Sequence, residues 1–387
     1  MTFMQGKSFG LYLHWPFCVQ KCPYCDFNSR VPTGVDHADW RRVFLLALDY
    51  AVTEMPTGQY LSSVFFGGGT PSLMEPETVA RVLDRAAASW PLADEVEVTL
   101  EANPSDREKL TDFRVAGVNR LSLGIQALDD RALCFLGRLH DTRQALAAIE
   151  MALHLFPRLS LDLIYARPGQ TLEAWQRELK WALTLASDHL SLYQLTLKPG
   201  TAFFADRVRD GLPDEDTAAA FYQMTQEITT TAGLPAYEIS NHAQQGGECR
   251  HNMTTWQGGN TVGIGPGAHG RFTLCDGSLG MNTIATRQYR TPEVWRARVM
   301  SGTHQITSYL SPEERIEELV MMGLRLTAGI DRALFQKKVG RSLETVLSVP
   351  DLESLSGAGF VIMDTASLRV TSAGRLVLDE ILRQLLP

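Results

Sequence analysis

Residues 9–25 read FGLYLHWPFCVQKCPYC. The first six form a short apolar run of the kind a buried strand uses. It leads straight into a loop carrying Cys18, Cys22 and Cys25. Further short apolar runs follow at 63–66 (SVFF), 95–100 (EVEVTL), 120–125 (RLSLGI), 159–164 (LSLDLI) and 189–195 (HLSLYQL). Amphipathic helical patterns occupy 40–54, 77–89, 143–155 and 172–186 between them. Strand and helix alternating in this way predict βα units around a parallel sheet. Six units predict a partial (β/α)6 barrel, an α/β fold, rather than a closed eightfold one.

Beyond Thr196 the pattern changes. A helical stretch at 214–231 leads into a Gly- and Asn-rich region, 246–270, with little periodicity. Helical runs at 312–326 and 331–338, a hairpin at 359–362 and 367–370, and a last helix at 372–386 predict a small winged-helix-like α+β domain. The expected organisation is therefore a partial barrel at 1–235, an irregular connecting region at 236–305 and a C-terminal domain at 306–387.

The chain has 387 residues, 44% hydrophobic and 21% charged, which suits a barrel with an appended domain. Its net charge is −8 and its pI about 5.6, so it offers no basic face for nucleic acid. No apolar stretch approaches a membrane span, and residues 1–10 lack the basic and apolar regions of a secretory signal. A cytoplasmic protein is the expectation. The six cysteines are too few for a disulfide scaffold, and three crowd between positions 18 and 25, while Cys134, Cys249 and Cys275 are scattered. In a reducing compartment such crowding reads as metal binding or catalysis.

Three Cys on one tight loop can ligate three irons of a [4Fe–4S] cubane and leave the fourth open to an exchangeable ligand. On spacing alone a Cys3His zinc site stays an alternative, although no His follows Cys25 at the usual zinc spacing. The second signal is GGGTPS at 67–72, closing the second strand; glycines there let backbone approach a ligand closely. In βα barrels, ligands collect at the C-terminal ends of strands. Glu101 follows the third strand, Gln126 the fourth, Asp162 lies in the fifth and Thr196 ends the sixth. Together with the Cys loop they would ring one cavity.

These residues resemble a known family. The segments YLHWPFC (12–18) and CPYCDF (22–27), GGGTPS (67–72) and EANP (101–104) are similar to radical SAM proteins related to oxygen-independent coproporphyrinogen III oxidase. So are RLSLGIQ (120–126), LGRLH (136–140), DLIY (162–165), PGQT (168–171), YQLT (193–196), YEISN (237–241), GIGPGAHG (263–270) and GLRLT (323–327). Within that group the chain most resembles the HemW-type heme chaperones. The oxidase carries a fourth Cys where this chain has Phe27, and a long extension where only seventeen residues precede Cys18. HNMTTW at 251–256 resembles the chaperones' His-Asn-x-x-Tyr-Trp motif, with Thr255 in place of Tyr. Ala166-Arg167 stands where Gly-Leu is usual, and His242 where Phe is usual.

The resemblance implies Cys18, Cys22 and Cys25 as ligands of a [4Fe–4S] cluster. It implies Tyr12, Tyr24, Gly68, Gly69, Thr70 and Glu101 around S-adenosylmethionine. Gln126, Arg138 and Asp162 match positions that contact a second S-adenosylmethionine in the oxidase. A chaperone also needs a heme ligand. His251 is the leading candidate, with His242 and His269 behind it, since His is the commonest ligand of haem iron. The implied function is heme binding and delivery to heme-accepting proteins, in reach of porphyrin biosynthesis; peripheral contact with membrane cytochromes and a homodimer fit the same reading. The alternative is a radical SAM enzyme acting on a tetrapyrrole, as the oxidase does.

Overall fold

The computed structural model describes residues 8–205, 208–274 and 282–386. Six strands, β1 (Ser8–Trp15), β2 (Tyr60–Gly68), β3 (Leu92–Ala102), β4 (Arg120–Gln126), β5 (Arg158–Tyr165) and β6 (His189–Gln194), lie side by side in chain order, all parallel. Helices cover one face and the barrel interior the other. Leu11, Leu61, Leu100, Leu121, Leu159 and Leu190 are accordingly all fully buried. Parallel strands enclosed in this way read as continuous apolar runs. The covering helices begin on side-chain caps. Asp36 accepts from the Asp39 N–H ahead of His37–Glu54, and Asp141 with Gln144 forms a capping box ahead of Thr142–Leu155.

The sheet does not stop at six strands. β7 (Asn241–Ala243) pairs antiparallel with β6, and β8 (Asn260–Ile264) pairs parallel with β1 on the other side. β9 (His269–Leu274), β10 (Asn282–Gln288) and β11 (Gln305–Tyr309) continue outward as an antiparallel meander, giving eleven strands. Within 236–305, where an irregular connecting region was expected, four strands and the first residue of a fifth join the sheet. Glycines broke the sequence pattern because this backbone is crowded. A Cβ on Gly263 would stand 2.2 Å from the His269 carbonyl oxygen, and one on Gly270 2.5 Å from Thr286 Oγ1. Cys275 falls outside the described residues.

The C-terminal part has its own core, built from Ile316, Leu319, Val320, Phe335, Leu352, Leu368 and Ile381 among others. Its helices, including Pro312–Gly323 and Arg332–Val339, pack on a three-stranded sheet ordered β12 (Ile330–Asp331), β14 (Ser367–Val370), β13 (Val361–Met363). The last helix is two pieces, Ser372–Arg375 and Leu378–Leu385. Polar bonds fasten this part to the barrel. The Arg315 guanidinium donates to the Gly258 carbonyl at 2.6 Å, Arg271 pairs with Glu318 at 2.7 Å, and the Thr327 N–H donates to the Tyr237 carbonyl at 2.9 Å.

Trp295, fully buried on helix Pro292–Met300, ties the meander to the barrel. Its ring lies parallel to Trp40 at 5.8 Å, and its N–H donates to Gln288 Oε1 at 2.8 Å. Trp295→Ala should lower unfolding free energy by about 3–5 kcal/mol. A denaturant titration showing a loss under about 1 kcal/mol would mean the meander does not share the barrel's cooperative core.

Candidate functional site

The site forms where the six parallel strands end. The loop after β1 folds back so that the Cys18 N–H donates to the Arg30 carbonyl at 2.9 Å, and a one-turn bond runs from the Cys25 N–H to the Cys22 carbonyl at 3.1 Å. Cys18 is buried; Cys22 and Cys25 are half-buried. Burial pushes the Cys18 and Cys25 thiols up, and the charge of the Cys22 sulfur raises both further. Three thiols on one loop, two of them costly to ionise where they stand, suit a cationic partner.

The glycines at the end of β2 are the floor of that loop. Gly68 has φ +119°, and a Cβ there would stand 2.7 Å from the Trp15 carbonyl oxygen. A Cβ on Gly69 would lie 2.7 Å from the Phe17 carbonyl oxygen and 3.0 Å from Cys18 Sγ. The Gly69 N–H donates to the Trp15 carbonyl at 2.6 Å and the Thr70 N–H to the Phe17 carbonyl at 2.9 Å.

Inside the barrel, Glu101 accepts from the Gly68 N–H at 3.1 Å. Burial, and then the nearby Asp162 carboxylate, push its carboxyl up to about 8. Asp162 is itself raised by burial, although Ser122 donates to it at 3.0 Å and Ser160 at 3.2 Å. The Tyr12 hydroxyl donates to His14 Nδ1 at 3.0 Å, and His14 Nε2 donates to the Asn28 carbonyl at 2.9 Å, which fixes the ring's tautomer. Burial, followed by the Glu101 charge, keeps the Tyr12 phenol protonated.

Arg138 bridges the loops. It donates to Cys22 Sγ at 3.4 Å, to the Gly124 carbonyl at 3.0 Å and to Asn103 Oδ1. Tyr24 lies beside it; burial raises its phenol, and the Arg138 charge works in the opposite direction. Gln126 takes φ +70°, unusual for a residue with a Cβ, and its side-chain nitrogen lies beside Gly124. These residues therefore come together. Thr196 does not join them: β6 ends at Gln194, and Thr196 is exposed, donating to the Gln194 carbonyl.

The three histidines do not gather. His251 lies within the barrel, its Nδ1 3.3 Å from Ser63 Oγ and its ring 5.2 Å from that of Phe65. Burial pulls its pKa down to about 4, so the ring is neutral at pH 7. His242 is buried on β7 with Nε2 3.2 Å from Gln226, and His269 is exposed on β9. Among the described residues no three His, Cys, Asp or Glu side chains are grouped to hold a single metal ion. A cubane asks for something else, one thiolate per corner iron.

Sequence reasoning missed a polar floor at the opposite end of the strands. Glu97 accepts from the Arg250 N–H at 3.1 Å and the His251 N–H at 3.3 Å, which caps helix Arg250–Trp256 from across the barrel. Arg158 binds Glu97 at 2.6 Å and Asp188 at 2.8 Å, and the fully buried Arg120 and Cys249 complete the group. The one available signal was charge inside strand-like runs: Glu97 in EVEVTL and Arg120 opening RLSLGI. At Ala166 the backbone is left-handed, φ +57°, and Arg167 beside it makes a buried ion pair with Glu178.

Because the Glu101 carboxyl is raised in the folded state, that state holds the proton more tightly than the unfolded chain does. The associated stability is present at acid pH and is lost as pH rises toward about 8. Glu101→Gln should flatten this decline and melt higher than the wild type at pH 8 without added ligands. Parallel melting curves across pH 5–9 would show that Glu101 is not the titrating group.

A model of the Radical SAM superfamily matches residues 12–182, and one of the HemN C-terminal domain matches residues 310–377. The mitochondrial Radical S-adenosyl methionine domain-containing protein 1 of Bos taurus is 41% identical, over 97% of this chain and 87% of its own. Heme chaperone HemW of Escherichia coli is 35% identical over 96% of both chains. The solved coproporphyrinogen III oxidase HemN of Escherichia coli superposes with a TM-score of 0.79 over 98% of this chain and 90% of its own; at 20% identity it speaks to the fold. Among the described residues no helix is long and apolar enough to cross a membrane.

Proposed function

Because the chain belongs to the family of the heme chaperone HemW, within the radical SAM superfamily, we propose that it binds heme and passes it to heme-accepting proteins. The near full-length match to the Escherichia coli chaperone carries this reading. In it, Cys18, Cys22 and Cys25 hold a [4Fe–4S] cluster. Gly68, Gly69 and Thr70 offer backbone to S-adenosylmethionine, with Tyr12, Tyr24 and Glu101 around it. Gln126, Arg138 and Asp162 border the same cavity. Bound there, the two groups supply one-electron reductive cleavage of a sulfonium.

The chain's own residues prepare that place. Arg138 sets positive charge beside the Cys22 sulfur. A cationic ligand facing Glu101 would restore the carboxylate that burial disfavours. Phe27, 59% exposed, stands where the oxidase has its fourth Cys and offers no thiol. Cytoplasmic residence, contact with membrane cytochromes and pairing of two copies belong to this proposal.

Cys22→Ala should lose the brown absorbance after anaerobic reconstitution while keeping its far-ultraviolet circular dichroism. Iron and sulfide retained at wild-type stoichiometry would remove Cys22 from the ligand set. His251 is the heme ligand in this reading. Since Glu97 and Ser63 enclose it, ligation requires helix Arg250–Trp256 to shift, so heme should speed amide exchange in that helix. His251→Ala should weaken heme binding; an unchanged titration, with no change in exchange, would assign the iron elsewhere. Stoichiometric heme binding without conversion of coproporphyrinogen III separates the chaperone from the oxidase, and turnover would make the chain an enzyme.

A further inference from the structure

Helix Arg250–Trp256 has two faces in different use. His251 points inward to Ser63, whereas Met253 and Trp256 face a cleft shared with the C-terminal part. The cleft has a volume of about 370 Å³, within the range of small-molecule sites. Its walls are largely apolar, with Leu319, Leu326, Leu334 and Phe335 prominent. Two charged residues line it, Asp331 and Lys338, the latter on helix Arg332–Val339. The Lys338 ammonium donates to the Gln257 carbonyl, and among the described residues no carboxylate pairs with it. Burial, then Arg315 and Lys337, pull it down to about 7.

The Trp256 indole nitrogen, a donor only, is buried without a partner. The Arg325 guanidinium lies over the same ring at 4.9 Å. Asp331 lines the cleft, but its carboxylate is engaged in capping the helix through the Leu334 N–H at 2.7 Å. An apolar cleft lined by a lysine that no described carboxylate pairs complements an anion carried on an apolar body.

We infer that this cleft binds a small molecule with an apolar body and a carboxylate, the carboxylate on Lys338 and the body against Met253, Leu319 and Phe335. Two sources share that chemistry: a propionate-bearing tetrapyrrole and a linear fatty acid. The tetrapyrrole arm rests on the chaperone reading, and the fatty-acid arm does not.

The test is calorimetric titration of the full chain with heme, protoporphyrin IX, dodecanoate and dodecanol. It compares wild type, Lys338→Met, which keeps the stem and removes the charge, and Ala328→Phe, which narrows the cleft at an exposed turn. Dodecanoate or the porphyrin should bind the wild type and lose at least about tenfold in both variants. Lys338→Met should also erase the preference for dodecanoate over dodecanol, which a merely unfolded variant would not do selectively. Loss confined to the porphyrin assigns the macrocycle, and loss confined to dodecanoate assigns the linear acid. If neither ligand binds, or both bind all three proteins alike, the inference is overturned. Heme still bound by variants that no longer bind dodecanoate would leave the chaperone reading standing with a linear acid in the cleft. Wild type that takes dodecanoate but no heme would end the chaperone reading and keep the cleft.

Discussion

The candidate site depends on one steric constraint, the contact between the loop after β1 and the glycines that end β2. The chain can bring Cys18 over the barrel mouth only if nothing projects from Gly69 toward the Phe17 carbonyl and the Cys18 sulfur. The same approach puts the Gly69 and Thr70 amides on carbonyls of the β1 side, so the loop is bonded as well as packed. With the loop fixed, Arg138 reaches Cys22 from beyond β4, and the Gly68 amide reaches Glu101 on β3. Consecutive parallel strands thereby contribute to one cavity without any strand having to bend toward it.

The opposite end of the barrel is closed by charge rather than by close approach. Glu97 caps helix Arg250–Trp256 from a strand some 150 residues earlier in the chain, and Arg158 neutralises it. A buried, paired network of this kind adds little net stability but is costly to break on one side. It therefore fixes the position of the helix. Its consequence is directional: His251 is turned into the barrel while Met253 and Trp256 are turned toward the C-terminal part.

The six parallel strands were legible because strands buried on both faces must be apolar throughout, and RLSLGI and LSLDLI leave little else to be read. Gly68, Gly69, Glu101 and Gln126 were legible because they stand at strand ends, where local sequence sets position, whereas Arg138 arrives from beyond the helix that follows β4. Strands β8 to β11 were not, since Gly263 and Gly270 interrupt any alternation for the sake of crowded backbone. The polar floor was not legible either. Glu97, Arg158 and Cys249 meet only through tertiary structure, and Arg120 in a sequence looks like the solvated start of a strand.

The proposed ligation of heme by His251 poses a problem of access. A porphyrin is too broad to reach an imidazole enclosed by Ser63, Phe65 and Tyr12 while the helix bearing it stays capped by Glu97. Either the helix moves, or the first contact is made elsewhere. The outer face of that helix already borders an apolar cleft lined by Lys338. Occupying the cleft would press on Met253 and Trp256, which sit two and five residues beyond His251 on a helix of only seven residues. So short an element moves as a unit, and ligand energy spent on its outer face is available to release its inner one.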